Sequence, residues 1–223
     1  MINITIIDYG SGNLKSVYNS VNLCSKNVEN KLSIYVTNNK KKIDNSSHVI
    51  LPGVGSFSSC LSGLKQHRDL FETINENIIS KGKPFLGICV GMQMLFSEGH
   101  ENGKTEGFGW IPGKVTKIKP RNGNYKIPHI GWNSLTLRNR HPFVNQLEKN
   151  SLSFKSNEDT NAYFVHSYSC KPDNKDHTIL STDYGEQISA MVARDNILGT
   201  QFHPEKSHSF GLAFLNSFIN WKV

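Results

Sequence analysis

At 223 residues the chain is long enough to bury one sizeable α/β core without disulfides or metals, and short for two full domains. Its formal charge of +7 comes from 25 basic and 18 acidic residues, but the densest basic run is only Lys40-Lys41-Lys42, in an Asn- and Ser-rich segment that reads as a solvated loop. A nucleic-acid binder gathers such charge into a stripe or tail, so that class is set aside, while an acidic partner surface or a phosphorylated substrate stays compatible.

Residues 1–8 read as a strand ending in Asp8, without the basic start and cleavage site of a secretory leader. Tyr9-Gly10-Ser11-Gly12-Asn13 is a turn that can start a helix over residues 14–25. Short β-branched-rich runs follow at 32–36 and 48–51, the second closing on Pro52-Gly53-Val54-Gly55. A helix is predicted over 69–81. Asp69 and Glu72 resemble a capping box, Phe71, Ile74 and Ile78 share a face, and Gly82 and Pro84 stop the helix. Residues 84–89 form a nearly continuous apolar strand, and 90–96 have helical character. This alternation argues for a mostly parallel sheet covered on both faces by helices.

Beyond Gly107 the texture changes. Residues 115–118, 132–137, 162–168, 177–181 and 188–194 are strand-like and separated by Gly, Asn, Asp and Pro, which predicts antiparallel strands extending the sheet or forming a small second layer. Phe210, Phe214 and Phe218, with Leu215 and Ile219 beside them, mark a final helix belonging to the core. No apolar run is long enough to span a bilayer, and no linker divides the chain, so one domain over 1–223 in the cytoplasm is expected. Cys24, Cys60, Cys89 and Cys170 lie far apart with no CxxC pair, a pattern that implies neither a zinc site nor a disulfide framework. No cofactor is expected.

The segment Gly87-Ile88-Cys89-Val90-Gly91 is chemically the most informative. An apolar strand ends, a single nucleophile sits at the turn, and a helix begins; glycines two before and two after relieve crowding there. This is a cysteine version of the nucleophile elbow. It lifts the sulfur clear of the sheet and sets it at a helix N-terminus, where the local field favours the thiolate. The bland reading is a small buried cysteine between strand and helix. A thiol also needs a base, and a base needs an orienter. In Gly199-Thr200-Gln201-Phe202-His203-Pro204-Glu205 an apolar strand leads into His203, and Glu205 follows across a stiff proline. His203 would take the thiol proton while Glu205 holds its tautomer. Backbone N–H groups of Val90 and of the Gly53-Val54 turn are candidates for an oxyanion hole, although a PGxG pattern is also a common plain turn.

Six segments in order resemble the class I (triad-type) glutamine amidotransferases, within them the glutaminase subunits of imidazole glycerol phosphate synthase. The segments begin with Asp8-Tyr9-Gly10-Ser11-Gly12-Asn13, Leu51-Pro52-Gly53-Val54-Gly55 and Leu86-Gly87-Ile88-Cys89-Val90-Gly91-Met92-Gln93. Pro128-His129-Ile130-Gly131-Trp132-Asn133, Tyr163-Phe164-Val165-His166-Ser167-Tyr168 and the stretch from Gly199 through Glu205 to Lys206-Ser207 complete the set. The resemblance implies a single flavodoxin-like α/β domain with a catalytic triad of Cys89, His203 and Glu205. Glutamine would be held near Gly53, Gln93, Glu101, Ser167 and Tyr168.

The same resemblance implies a heterodimer with a TIM-barrel cyclase subunit that receives ammonia, and no nucleic-acid or membrane partner. Asn13, His129, Trp132, Asn133, Tyr163 and Lys206 match positions the family turns toward that cyclase. Apart from the resemblance, Trp132 could equally be core and Lys206 a solvated charge. Ser11 and Val90 depart from the residues more usual at their positions, but neither removes a catalytic group. Other readings are a paralogue supplying ammonia for sugar amination in surface-polysaccharide synthesis, a peptidase or γ-glutamyl hydrolase, and a non-catalytic docking subunit.

Overall fold

The computed structural model describes residues 1–24, 31–67, 69–121, 125–150, 152, 154 and 160–223. Strand β1 (Ile2–Ile7) is followed by helix α1 (Leu14–Cys24), β2 (Leu32–Thr37), α2 (Lys40–Asp44), β3 (His48–Gly53), α3 (Phe57–Gln66), α4 (Leu70–Asn75), β4 (Phe85–Cys89) and α5 (Val90–Gln93). Then come β5 (Phe96–Gly99), β6 (Thr105–Glu106), β7 (Ile111–Lys117), β8 (His129–Ser134), β9 (Thr136–Leu137) and α6 (Pro142–Lys149). The chain closes with β10 (Asn161–His166), β11 (Tyr168–Pro172), β12 (Thr178–Asp183), β13 (Gln187–Arg194), β14 (Ile197–Thr200) and α7 (His208–Ile219).

The main sheet runs β2-β1-β3-β4-β14-β13-β12-β9. Its first five strands are parallel and the rest antiparallel. Every residue of β3 and β4 is buried, as expected of central strands covered on both faces. Helices α1, α6 and α7 pack together in one group and α2, α3 and α4 in another. The predicted terminal aromatics lie in α7, with Phe210, Phe214 and Phe218 all buried. Two smaller sheets, β10-β8 and β11-β7-β5-β6, form beside the main one, so the second half both extends the sheet and adds a layer.

Several boundaries differ from the sequence reading. The predicted span 162–168 is two strands in different sheets, β10 and β11, broken at Ser167. The helix after Cys89 lasts one turn, and Phe96 opens β5, where it is buried and paired with Ile111. Asp69 is no capping-box residue: its φ of −96° and ψ of −4° are helical, so its side chain makes no cap bond. Lys40-Lys41-Lys42 lies on a short helix capped by Asn39, and α3 starts at the Ser56 cap; neither helix, nor α6, was predicted. Position 25, at the end of the first predicted helix, lies outside the described residues.

Strand β14 enters the sheet from a turn fixed by Asn196. Its amide donates to the carbonyls of Ile78, at 2.8 Å, and Lys83, at 2.7 Å, while its own carbonyl accepts from Phe85 N at 2.9 Å. From there the pairing runs Leu198 with Leu86 and Thr200 with Ile88, while Gly53 of β3 pairs with Cys89 from the other side. The carboxyl ends of β3, β4 and β14 thus converge, which is where open parallel sheets place ligands.

That convergence needs glycine at two positions. A Cβ on Gly91 would run into the carbonyl of Leu51, and one on Gly87 would meet the Gly91 carbonyl. Backbone cannot yield as a flexible side chain can. Gly91→Ala is therefore expected to lower stability by about 2–4 kcal/mol, read from urea unfolding midpoints, whereas Gly82→Ala, with open space around it and only a positive φ to strain, should cost less.

Candidate active site

Strand β4 ends on Cys89 with φ +56° and ψ −111°. A side-chain-bearing residue held in this region stores about 1–3 kcal/mol of strain, kept there by the glycine-lined contact with β3. The reward is direction: the sulfur projects out of the sheet plane into a cavity of about 280 Å³ at the carboxyl ends of the strands. Because α5 is only one turn long, the helix field expected at Cys89 reduces to that of a few peptide units.

His203 follows three residues after β14 ends. Its N–H donates to Tyr163 O at 2.9 Å, its carbonyl accepts from Ser207 Oγ at 2.7 Å, and Gly211 lets α7 close onto the carbonyl of Pro204. The short turn carrying His203, Pro204 and Glu205 is therefore pinned between β10 and α7. Within it, His203 Nδ1 lies 2.8 Å from Glu205 Oε1, with the side chains 2% and 0% exposed. A carboxylate only accepts, so Nδ1 carries the hydrogen, and in the neutral ring Nε2 is left with a lone pair.

Nε2 is buried and makes no formed hydrogen bond, and Cys89 and His203 both line the cavity. Burial disfavours the His203 imidazolium, but the Cys89 sulfur and the Glu205 carboxylate outweigh that and push its pKa up to about 10. The arrangement can accept a proton from sulfur and hold it as part of an ion pair.

The cavity is also lined by Val54, Gly55, Val90, Gln93, Glu101, Ser167 and Tyr168. Its size suits a single amino acid better than a peptide. Gly53 lies just behind, where a Cβ would meet Gly91 N at 2.7 Å. Two carbonyls of this turn are tied down. Tyr9 Oη donates to Pro52 O at 2.9 Å, and Ser11 Oγ donates to Val54 O at 2.7 Å. Glu101 has a second task, since its Oε2 accepts from Phe57 N at 2.8 Å and caps α3. Two lining or adjoining groups escaped the sequence reading. His166 faces the cavity, and Gln201, fully buried, directs Nε2 at Cys89 Sγ at 3.7 Å. The signal for Gln201 was its spacing, two residues before His203 in an extended segment.

Around the mouth, Trp132 is 46% exposed and stacks flat on His208, while Lys206 sits over the Tyr163 ring. Trp132 is thus not core. Asn13, Asn133 and Tyr163 are half-buried and Lys206 is exposed. His129 departs from the expected outward-facing position: it is 2% exposed, held between Phe164 and Tyr184 rings. It belongs to a directed chain. Tyr168 O can only accept, so His166 Nδ1 donates to it at 2.8 Å; His166 Nε2 then accepts from His129 Nδ1 at 3.0 Å. Asn133 Nδ2 completes the chain at His129 Nε2, 3.4 Å away.

The family Glutamine amidotransferase class-I matches residues 5–220 of the chain. Over 219 residues, 98% of the chain, it is 42% identical to the imidazole glycerol phosphate synthase subunit HisH of Zymomonas mobilis, covering 95% of that protein. It is 43% identical to the subunit of the same name from Pelagibacter ubique, covering 98% of the chain and all of the relative. Among solved structures, a glutamine amidotransferase is similar at a TM-score of 0.64 and 13% identity, over 96% of this chain and 98% of that one. A glutamine amidotransferase from Thermotoga maritima is similar at 0.56 and 17%, over 92% and 76%. At those identities the two structures speak for the fold alone.

Burial holds the pKa of His129 down at about 4 and that of His166 at about 3. Between those values and the ordinary histidine pKa near 6.5, the unfolded chain binds protons that the folded chain does not. The stability these rings confer is complete above about pH 6.5 and is lost as pH falls toward 3. Urea unfolding midpoints should drop across that window, and His129→Phe should flatten the slope by up to one proton.

Proposed function

The chain belongs to the class-I glutamine amidotransferases, and we infer that it is the glutaminase subunit of imidazole glycerol phosphate synthase, an enzyme of histidine biosynthesis. One observation carries the chemical side of this reading: a strained cysteine at the end of β4 and a buried, carboxylate-oriented histidine open on one amino-acid-sized cavity. The near full-length identity to named synthase subunits gives the pathway, and nothing favours the sugar-amination or docking-only alternatives.

In this reading the whole chain, 1–223, is one amidotransferase domain working in the cytoplasm. The Cys89 thiolate attacks the side-chain carbonyl of glutamine, and the N–H groups of Val90 and of the Gly53-Val54 turn take up the oxyanion. Gln93, Glu101, Ser167 and Tyr168 hold the substrate. His203, steadied by Glu205, gives its proton to the departing ammonia, leaving a thioester. Water activated by His203 then releases glutamate.

The partner is a cyclase subunit of TIM-barrel fold, in a heterodimer, docked around Asn13, Trp132, Asn133, Tyr163 and Lys206. The buried His129 supports that face from beneath through Asn133. Ammonia released into neutral water mostly becomes ammonium, which is no nucleophile, so a sealed passage to the acceptor is chemically reasonable. In the cyclase it would yield imidazole glycerol phosphate and aminoimidazole carboxamide ribotide.

Glutamate release from glutamine, measured with and without the cyclase, tests the reading. The complex should hydrolyse glutamine faster than the chain alone. Cys89→Ala should abolish hydrolysis, and Glu205→Gln should lower kcat by about 10²–10⁴-fold, since it loosens the histidine tautomer. A Cys89→Ala complex that hydrolyses at the unsubstituted rate overturns it.

A further inference from the structure

Beyond the groups assigned above, Gln201 is fully buried directly behind the elbow, and its placement follows from the alternation of an extended chain. Its backbone N–H is fixed on β13, donating to Ala190 O at 2.8 Å. The next residue, Phe202, points into the aromatic core against Phe164, Phe210 and Phe214, and His203 turns back toward the cavity. Gln201 therefore faces the same side as His203, and its Nε2 lies 3.7 Å from Cys89 Sγ, within hydrogen-bonding range for sulfur.

An amide side chain can present either end to the sulfur. The oxygen end would repel a thiolate, and the nitrogen end would stabilise it. The choice is settled some distance away, at the carbonyl of Tyr168, which can only accept. Gln93 Nε2 donates to that carbonyl at 3.3 Å, and the same nitrogen donates to Gln201 Oε1 at 3.1 Å. With its oxygen engaged, Gln201 has only N–H left for the sulfur. His166 Nδ1 donates to the same carbonyl, so the anchor holds two donors.

We propose that Gln201 is a positioning residue for the reaction, holding the Cys89 sulfur as an anion through an N–H···S hydrogen bond whose polarity is fixed by Gln93 and the Tyr168 carbonyl. The proposal rests on the glutaminase reading for its purpose, though not for its geometry. Val90 and the Gly53-Val54 turn face the oxyanion, and His203 faces the proton; Gln201 faces the sulfur itself, on which charge appears and disappears in each half-reaction.

The pH profile of Cys89 alkylation by iodoacetamide tests this without substrate. The other thiols interfere little, because burial pushes Cys24 up to about 11 and also raises Cys60 and Cys170. Gln201→Met keeps the side-chain volume and removes the donor, and Gln201→Leu removes it without adding a charge beside the sulfur. In both, the midpoint should move upward by about one pH unit, equivalent to an alkylation rate about tenfold lower on the acid side of the midpoint. A folded variant whose profile superimposes on the unsubstituted one overturns the proposal, since a merely space-filling residue would leave it unmoved.

Should neither variant fold, the unsubstituted chain decides. The side-chain ¹⁵N–H resonance of Gln201 should shift as Cys89 titrates, and a resonance indifferent to that titration overturns the proposal. The underlying reading fails separately, if the unsubstituted chain with its cyclase releases no glutamate from glutamine.

Discussion

The backbone of Gly91 lies so close to the carbonyl of Leu51 that no side chain fits between β3 and the turn after β4, and Cys89 takes a left-handed backbone within the same turn. This close approach couples two facts that otherwise look separate. It forces the sulfur out of the sheet, and it brings Gly53 level with Cys89, so that candidate nucleophile and candidate oxyanion donors come from paired positions of adjacent strands. Tyr9 beneath Pro52 and Ser11 against Val54 then fix the second strand's turn from below. A bulkier residue at either glycine would part the strands and separate these groups together.

Three buried histidines near the cavity show how environment, rather than residue type, assigns chemistry. His129 and His166 have no anionic partner, and burial, helped at His166 by the nearby His203 charge, holds both rings uncharged at neutral pH. His203 is no less enclosed, yet it faces the Cys89 sulfur and the Glu205 carboxylate, and these two partners overturn the penalty of burial. Groups of one kind driven in opposite directions are the mark of divided acid–base labour. The neutral pair is suited to transmitting hydrogen-bond direction, and the charged one to moving a proton.

What the sequence reveals of this site is what is written locally. The apolar run into Cys89, its flanking glycines and the proline between His203 and Glu205 each constrain the backbone within a few residues, and all were readable. The less legible features depend on distant partners. Phe96 looks helical beside Met92 and Leu95, but pairing with Ile111 makes it strand. Ser167 breaks what reads as one strand because its two sides join different sheets. Asp69 has capping chemistry without capping dihedrals. His129 sits in a motif suited to a partner face, yet Phe164 and Tyr184 enclose it. Gln201 lies in the segment that carries His203 and Glu205, but its target is 112 positions away in the chain.

Asn196 stands at the opposite end of β14 from His203, clamped to the carbonyls of Ile78 and Lys83. A strand held at its entrance can slip neither up nor down against β4, and a slip of one residue would reverse every side chain that follows. The imidazole's aim is thus set like a pointer by its pivot, by an amide in the floor of the molecule that touches none of the reacting atoms. Damage to that pivot would read, in an activity measurement, as damage to the histidine.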